Sequence, residues 1–93
     1  MPTFIMTGKY SAEATKHISA KRTTKGTEIV RQCGGKLVAV YATMEKADIL
    51  VVAEFPGIEE AMKASVALNR ALGISFYTVP ALRIEDFDKL VSA

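Results

Sequence analysis

One cysteine, Cys33, one histidine, His17, and no tryptophan stand among 93 residues. A lone cysteine excludes a disulfide framework within the chain. One histidine and one cysteine in unrelated segments give no metal-ligand spacing, so neither a metal nor a cofactor is expected. Charge of one sign is missing too: 12 Lys and Arg meet 10 Asp and Glu, a net +2. That balance falls short of the clustered cationic face that nucleic acid requires, and no nucleic-acid partner is expected. No apolar run approaches the roughly 20 residues of a membrane helix, so no membrane partner is expected either. The opening segment Met1–Lys9 lacks the basic stretch, long apolar core and cleavage site of a signal peptide. Together with the single cysteine this makes the cytoplasm the expected compartment. No glycine-rich phosphate loop is present, because Gly34-Gly35 follows a helical pattern instead of preceding one. What remains is 49% apolar and 24% charged, the balance of a folded chain and not of a disordered one. The length suits one domain, 1–93. A domain this small buries about two-thirds of its unfolded surface, and self-association commonly supplements such a core.

The pattern of apolar and turn residues orders the chain. Residues 2–9 read as a strand, with Phe4 and Met6 on one side and Thr3, Ile5 and Thr7 on the other. Ser11 caps a short helix over 11–18, and Ser19 caps a second over about 20–33, closed by Gly34-Gly35. Gly26 and the neighbouring threonines predict a kink or loop near 23–26. The basic run Lys21-Arg22-Thr23-Thr24-Lys25 reads as a solvated helix start. Strands follow over 36–43 and 48–55, the latter almost continuously apolar, as suits a central strand. A helix over 58–72 carries Ile58, Met62, Val66 and Asn69 at helical spacing and stops at Gly73, while its alanines permit close packing on a sheet. Residues 74–82 form a strand that Pro80 assigns to an edge, and 84–91 a last short helix. This order is the split βαβ or ferredoxin-like pattern, α+β, βαββαβ, an antiparallel sheet with helices on one face and the first and third strands central.

Helices cover only one face of such a sheet, yet both faces read as apolar. Leu50 and Val52 oppose Ile49, Val51 and Ala53; Tyr77 and Val79 oppose Phe76 and Leu82. An uncovered apolar face marks an interface. The expected partner is a second copy of the chain, in a dimeric α+β barrel arrangement or a higher homo-oligomer.

Several segments carry a resemblance to a known family. These are Ser19-Ala20-Lys21-Arg22, Gly34-Gly35-Lys36-Leu37, Val40-Tyr41-Ala42-Thr43-Met44, Asp48-Ile49-Leu50-Val51-Val52-Ala53-Glu54-Phe55-Pro56 and Thr78-Val79-Pro80-Ala81-Leu82. In their layout the chain resembles the GYD-domain family, small proteins named for a Gly-x-Tyr-Asp motif. At that motif this chain has Glu45-Lys46-Ala47-Asp48, which keeps only the aspartate. The resemblance implies a ferredoxin-like fold and dimers or higher oligomers, and it implies no particular reaction.

Six side chains are candidates for binding a small molecule: Tyr10, His17, Tyr41, Asp48, Glu54 and Tyr77. His17 is of the residue type that suits a general base, but its helical neighbours Glu13 and Lys21 also fit a plain surface histidine. Cys33, at a helix end, reads as a small buried hydrophobe. Asp48 reads as a turn residue accepting backbone hydrogen bonds. Glu54 interrupts the apolar strand, so it either pairs with a cation such as Lys9 or Arg83 or projects into a ligand cavity. The tyrosines lend hydroxyls to a pocket or lie at a sheet edge or interface. Three functions compete on these residues. The first is an oligomeric ligand-binding or structural module with a cavity between sheet and helices. The second is a cofactor-free monooxygenase- or isomerase-like enzyme, which fold analogy alone suggests and which needs His17, Glu54 or a tyrosine in the cavity. The third is an assembly or signalling domain.

Overall fold

The computed structural model describes residues 1–92. Its elements are β1 (Thr3–Tyr10), α1 (Ala12–Thr15), α2 (Ala20–Gln32), β2 (Lys36–Ala42), β3 (Ile49–Glu54), α3 (Ile58–Leu72), β4 (Ile74–Ala81) and α4 (Ile84–Val91). The four strands form one antiparallel sheet in the order β2-β3-β1-β4, so β1 and β3 are central and Pro80 lies on an edge strand. The fold is α+β and ferredoxin-like, as the order of elements predicts.

Register decides which residues share a face, because opposite residues point the same way. Met6 stands opposite Val51 and Thr78, and Val51 opposite Val40. Phe4 stands opposite Ala53 and Pro80. These rows lie beneath the helices, and Phe4, Met6, Val51 and Ala53 are buried there. On the other face Ile5 stands opposite Val52 and Val79, and Val52 opposite Ala39. Thr7 stands opposite Leu50 and Tyr77, and Leu50 opposite Tyr41. Among the described residues no helix covers this second face. A one-residue bulge at Val38 shifts the β2–β3 register between Leu37 and Ala39.

The core is built where strand and helix residues meet. Val30 comes from α2, Ala61, Ala64, Leu68 and Leu72 come from α3, and Phe55 follows β3. Phe4 and Phe55 meet edge to face with ring centroids 5.8 Å apart, a contact worth roughly 0.5–1.5 kcal/mol beyond its area. Phe55 lies so close to the β2 entrance that a Cβ on Gly35 would stand 2.4 Å from its ring, which only glycine avoids. Gly73, at φ 69°, ends α3 in the left-handed region and donates its N–H to Asn69 O.

Two helices, α1 and α2, differ from the sequence expectation. α1 is a single turn capped by Ser11, whose hydroxyl accepts from the Ala14 N–H, and it closes at Lys16 instead of reaching residue 18. α2 runs unbroken from Ala20 to Gln32 without the expected kink. The hydroxyls of Thr23, Thr24 and Thr27 donate to the carbonyls of Ser19, Ala20 and Thr23, so their polar groups are satisfied inside the helix. α3 turns its alanine and leucine face to the sheet, and the larger Ile58, Met62 and Val66 point outward.

α4 buries none of its residues. Its apolar side chains Ile84, Phe87, Leu90 and Val91 are exposed, and Ile84 and Phe87 border a groove of about 470 Å3 against Pro2, Pro80 and Leu82. The molecule measures 51 × 29 × 18 Å along its principal axes. Among the described residues no helix is long and apolar enough to cross a membrane.

Candidate functional site

A cavity of about 70 Å3 lies between α2 and the helix-covered face of the sheet. Its floor is Ile49, Val51, Ile74 and Phe76 from the strands. Gly26 and Val30 of α2 form its roof, and Leu68 and Leu72 of α3 its back wall. A Cβ on Gly26 would stand 3.4 Å from Leu72 and 3.7 Å from Leu68, ordinary contact distances. At one end the chain entering α2 contributes Ile18, Ser19 and Arg22, with Ile18 61% exposed. Tyr10 stands at the same cavity, half-buried.

Polar groups around the cavity are few. The Ser19 hydroxyl accepts from the Arg22 N–H at 3.3 Å and caps α2. Thr23 and Thr27 spend their hydroxyl protons on helix carbonyls. Arg22 donates from its guanidinium to the carbonyl of Leu72, the last residue of α3. A cation on the exposed carbonyls of a helix end is a favourable cap. Arg22 is also the one charged residue among those lining the cavity.

Of the residues singled out from sequence, the structure places only Tyr10 in this cavity. Asp48 lies beside it, at the entrance to β3, and ties the strand ends together. Its Oδ2 accepts from the Tyr10 N–H at 2.9 Å, its own N–H donates to Gly8 O at 2.8 Å, and its carbonyl accepts from the Thr43 N–H at 2.9 Å. Lys9 Nζ sits 3.8 Å from its Oδ1. Tyr41, Tyr77 and Glu54 lie on the opposite, helix-free face. Tyr41 and Tyr77 are 60% and 73% exposed. Glu54 is half-buried beside Thr3 and Lys36, and it joins neither Lys9 nor Arg83: Lys9 pairs with Asp48 and Arg83 with Glu85. His17 is exposed, its Nε2 3.1 Å from Glu13 Oε1. Cys33 is the C-cap of α2 and packs half-buried against the core.

Arg22 is the side chain that reading the sequence misses. It sits within the basic run at 21–25, whose members look equivalent until α2 is laid on the sheet. Lys21 and Lys25 are then exposed, and Arg22 turns inward. Among the described residues no group of three or more His, Cys, Asp or Glu gathers in a way that could hold a metal ion.

The family model of the GYD domain matches residues 4–91 of the chain. No curated protein matches it. The chain belongs to the GYD-domain family.

Proposed function

We propose that this GYD-domain protein is a self-associating module that binds a small molecule in the cavity between α2 and the sheet. The observation that carries this reading is the character of that cavity. It has apolar walls, an exposed end at Ile18, and few polar groups, the composition of a site that selects by shape and a small number of contacts. Turnover there has less support. His17 faces solvent and Glu54 lies on the far side of the sheet, which leaves Tyr10 as the one candidate of that reading at the cavity, with no general base beside it among the residues that line it. The uncovered rows around Ile5, Val52 and Val79, with Leu50, Tyr41 and Tyr77 alongside, support a second copy as the partner on the other face. The single cysteine supports the cytoplasm as the compartment.

Native mass spectrometry of freshly purified protein, without refolding, tests both parts. A dimer or higher oligomer carrying an additional small mass is expected. Val52→Asp places a carboxylate at the centre of the uncovered face and is expected to release monomers that retain the ligand. A wild-type monomer would contradict the interface. Bare chains that also take up none of the small amphiphiles described below would contradict the binding site.

A further inference from the structure

The geometry points to a short-chain carboxylate as the kind of molecule the cavity takes, with its tail under α2 and its charged head on Arg22. This inference rests on the binding reading above and adds the ligand's chemistry to it.

The argument is one of donors, acceptors and size. Arg22 is a permanent cation with five N–H donors in a planar fork that matches a carboxylate. Leu72 O receives a bond from one of its terminal nitrogens. Among the described residues the ion pairs join Lys9 to Asp48, Lys16 and His17 to Glu13, Arg31 to Glu28, and Arg83 to Glu85, and none includes Arg22. No Asp or Glu lines the cavity. A half-buried guanidinium on an apolar wall without a counter-charge favours an anion arriving from solution, because charge-assisted bonds are strong where water is scarce. Tyr10, which also lines the cavity, carries a second donor group in its hydroxyl. Thr23 and Thr27 do not compete for the role, since their protons are committed to α2 carbonyls. Lys21 and Lys25, exposed on either side of Arg22 in sequence, add positive potential and no acceptor. An amine would meet the same cations and be repelled.

Size limits the tail. At roughly 10–15 Å3 per water-sized sphere, a cavity of about 70 Å3 holds on the order of five such spheres. A carbon chain or ring of that order fits, and a long acyl chain does not. The capping bond from Arg22 to Leu72 O explains the residue structurally, but a cap alone confers no preference between ligands of different charge. That difference makes the inference testable.

The probes are pentanoate, pentan-1-ol and pentylamine, which share a tail and differ in the head. Each is titrated into the full-length protein at fixed ionic strength, following the amide signals of Gly26, Val30 and Ile49 by NMR. Pentanoate is expected to bind at least about tenfold more tightly than pentan-1-ol, the scale of one charge-assisted hydrogen bond, and pentylamine more weakly than both. Arg22→Gln is expected to bring the acid and the alcohol to equal affinity, and Arg22→Lys to restore part of the difference. Should Arg22→Gln fail to fold for want of its cap on α3, the wild-type ranking decides alone. Equal or tighter binding of the alcohol overturns the carboxylate assignment and leaves the apolar site standing. No response from any of the three at these amides overturns both.

Discussion

Glu45 is the one non-glycine residue in the described chain with a positive φ, at 74°. It occupies the place where the family motif carries glycine. Left-handed backbone costs a residue with a Cβ about 1–2 kcal/mol, while glycine adopts it freely. A glycine at this place would take up the conformation without that cost, in the turn between β2 and β3 that leads to Asp48 and its bond from the Tyr10 N–H. Here the turn persists without it, held by Asp48 and by Lys9 Nζ donating to Glu45 O. Glu45→Gly is expected to stabilise the protein by about 1 kcal/mol, after the entropy of the unfolded glycine is set against the relieved strain. In thermal unfolding this is a rise of roughly 4–8 °C. Glu45→Ala keeps the Cβ and removes the charge, so a similar rise in that variant would assign the effect to charge and refute the backbone account. The same scale shows what single residues reveal from sequence. Asp48 is legible as a turn residue, because its neighbours Ala47 and Ile49 define a strand entrance. Arg22 is not, because its role depends on how α2 is rotated against a sheet that forms from distant segments.

At the scale of elements, strand alternation is local and survives translation into structure. Phe4 and Met6 face the helices while Ile5 and Thr7 do not, and the order of strands follows from the arrangement of elements. Helix faces are less legible. In α3 the larger apolar residues point outward, because Ala61 and Ala64 let the helix lie closer to the sheet than Ile58 and Met62 could. In α2 a glycine and several threonines read as a break, yet Gly26 faces Leu68 and Leu72 across the α2–α3 contact. The helix tolerates poor local propensity because packing holds it. Gly26 lies in helical backbone, and a methyl group there would meet both leucines at ordinary contact distances. Gly26→Ala is expected to raise stability by roughly 0.5–1 kcal/mol through helix propensity. Equilibrium urea unfolding measures it, and a fall in the midpoint would show that the α2–α3 contact has no room for a methyl. The same methyl borders the cavity roof, so pentanoate affinity in this variant also reports how tightly the ligand is enclosed.

At the scale of the molecule, the covered face of the sheet gathers nearly all of the core, and the other face and α4 carry apolar residues outward. The apolar open face was legible in the strand sequences, since Ile5 and Val52 each alternate with buried neighbours. The isolation of α4 was not, because an amphipathic pattern reveals a face without revealing what meets it. That isolation has a kinetic consequence. Eight residues are too few to hold a helix in water by themselves, and neither Arg83 nor any other side chain caps this one at its start. The hydrogen bonds of α4 are therefore only as durable as the surface that shelters them. Hydrogen–deuterium exchange makes that shelter visible: the amides of Leu90 and Val91 are expected to exchange slowly in the assembled wild type and near the rate of an unfolded peptide in monomeric Val52→Asp. Equal protection in both would mean that the groove at Pro2 and Pro80 holds the helix unaided. Under the proposed self-association α4 is thus a clock, whose rate tells whether a partner stands over it.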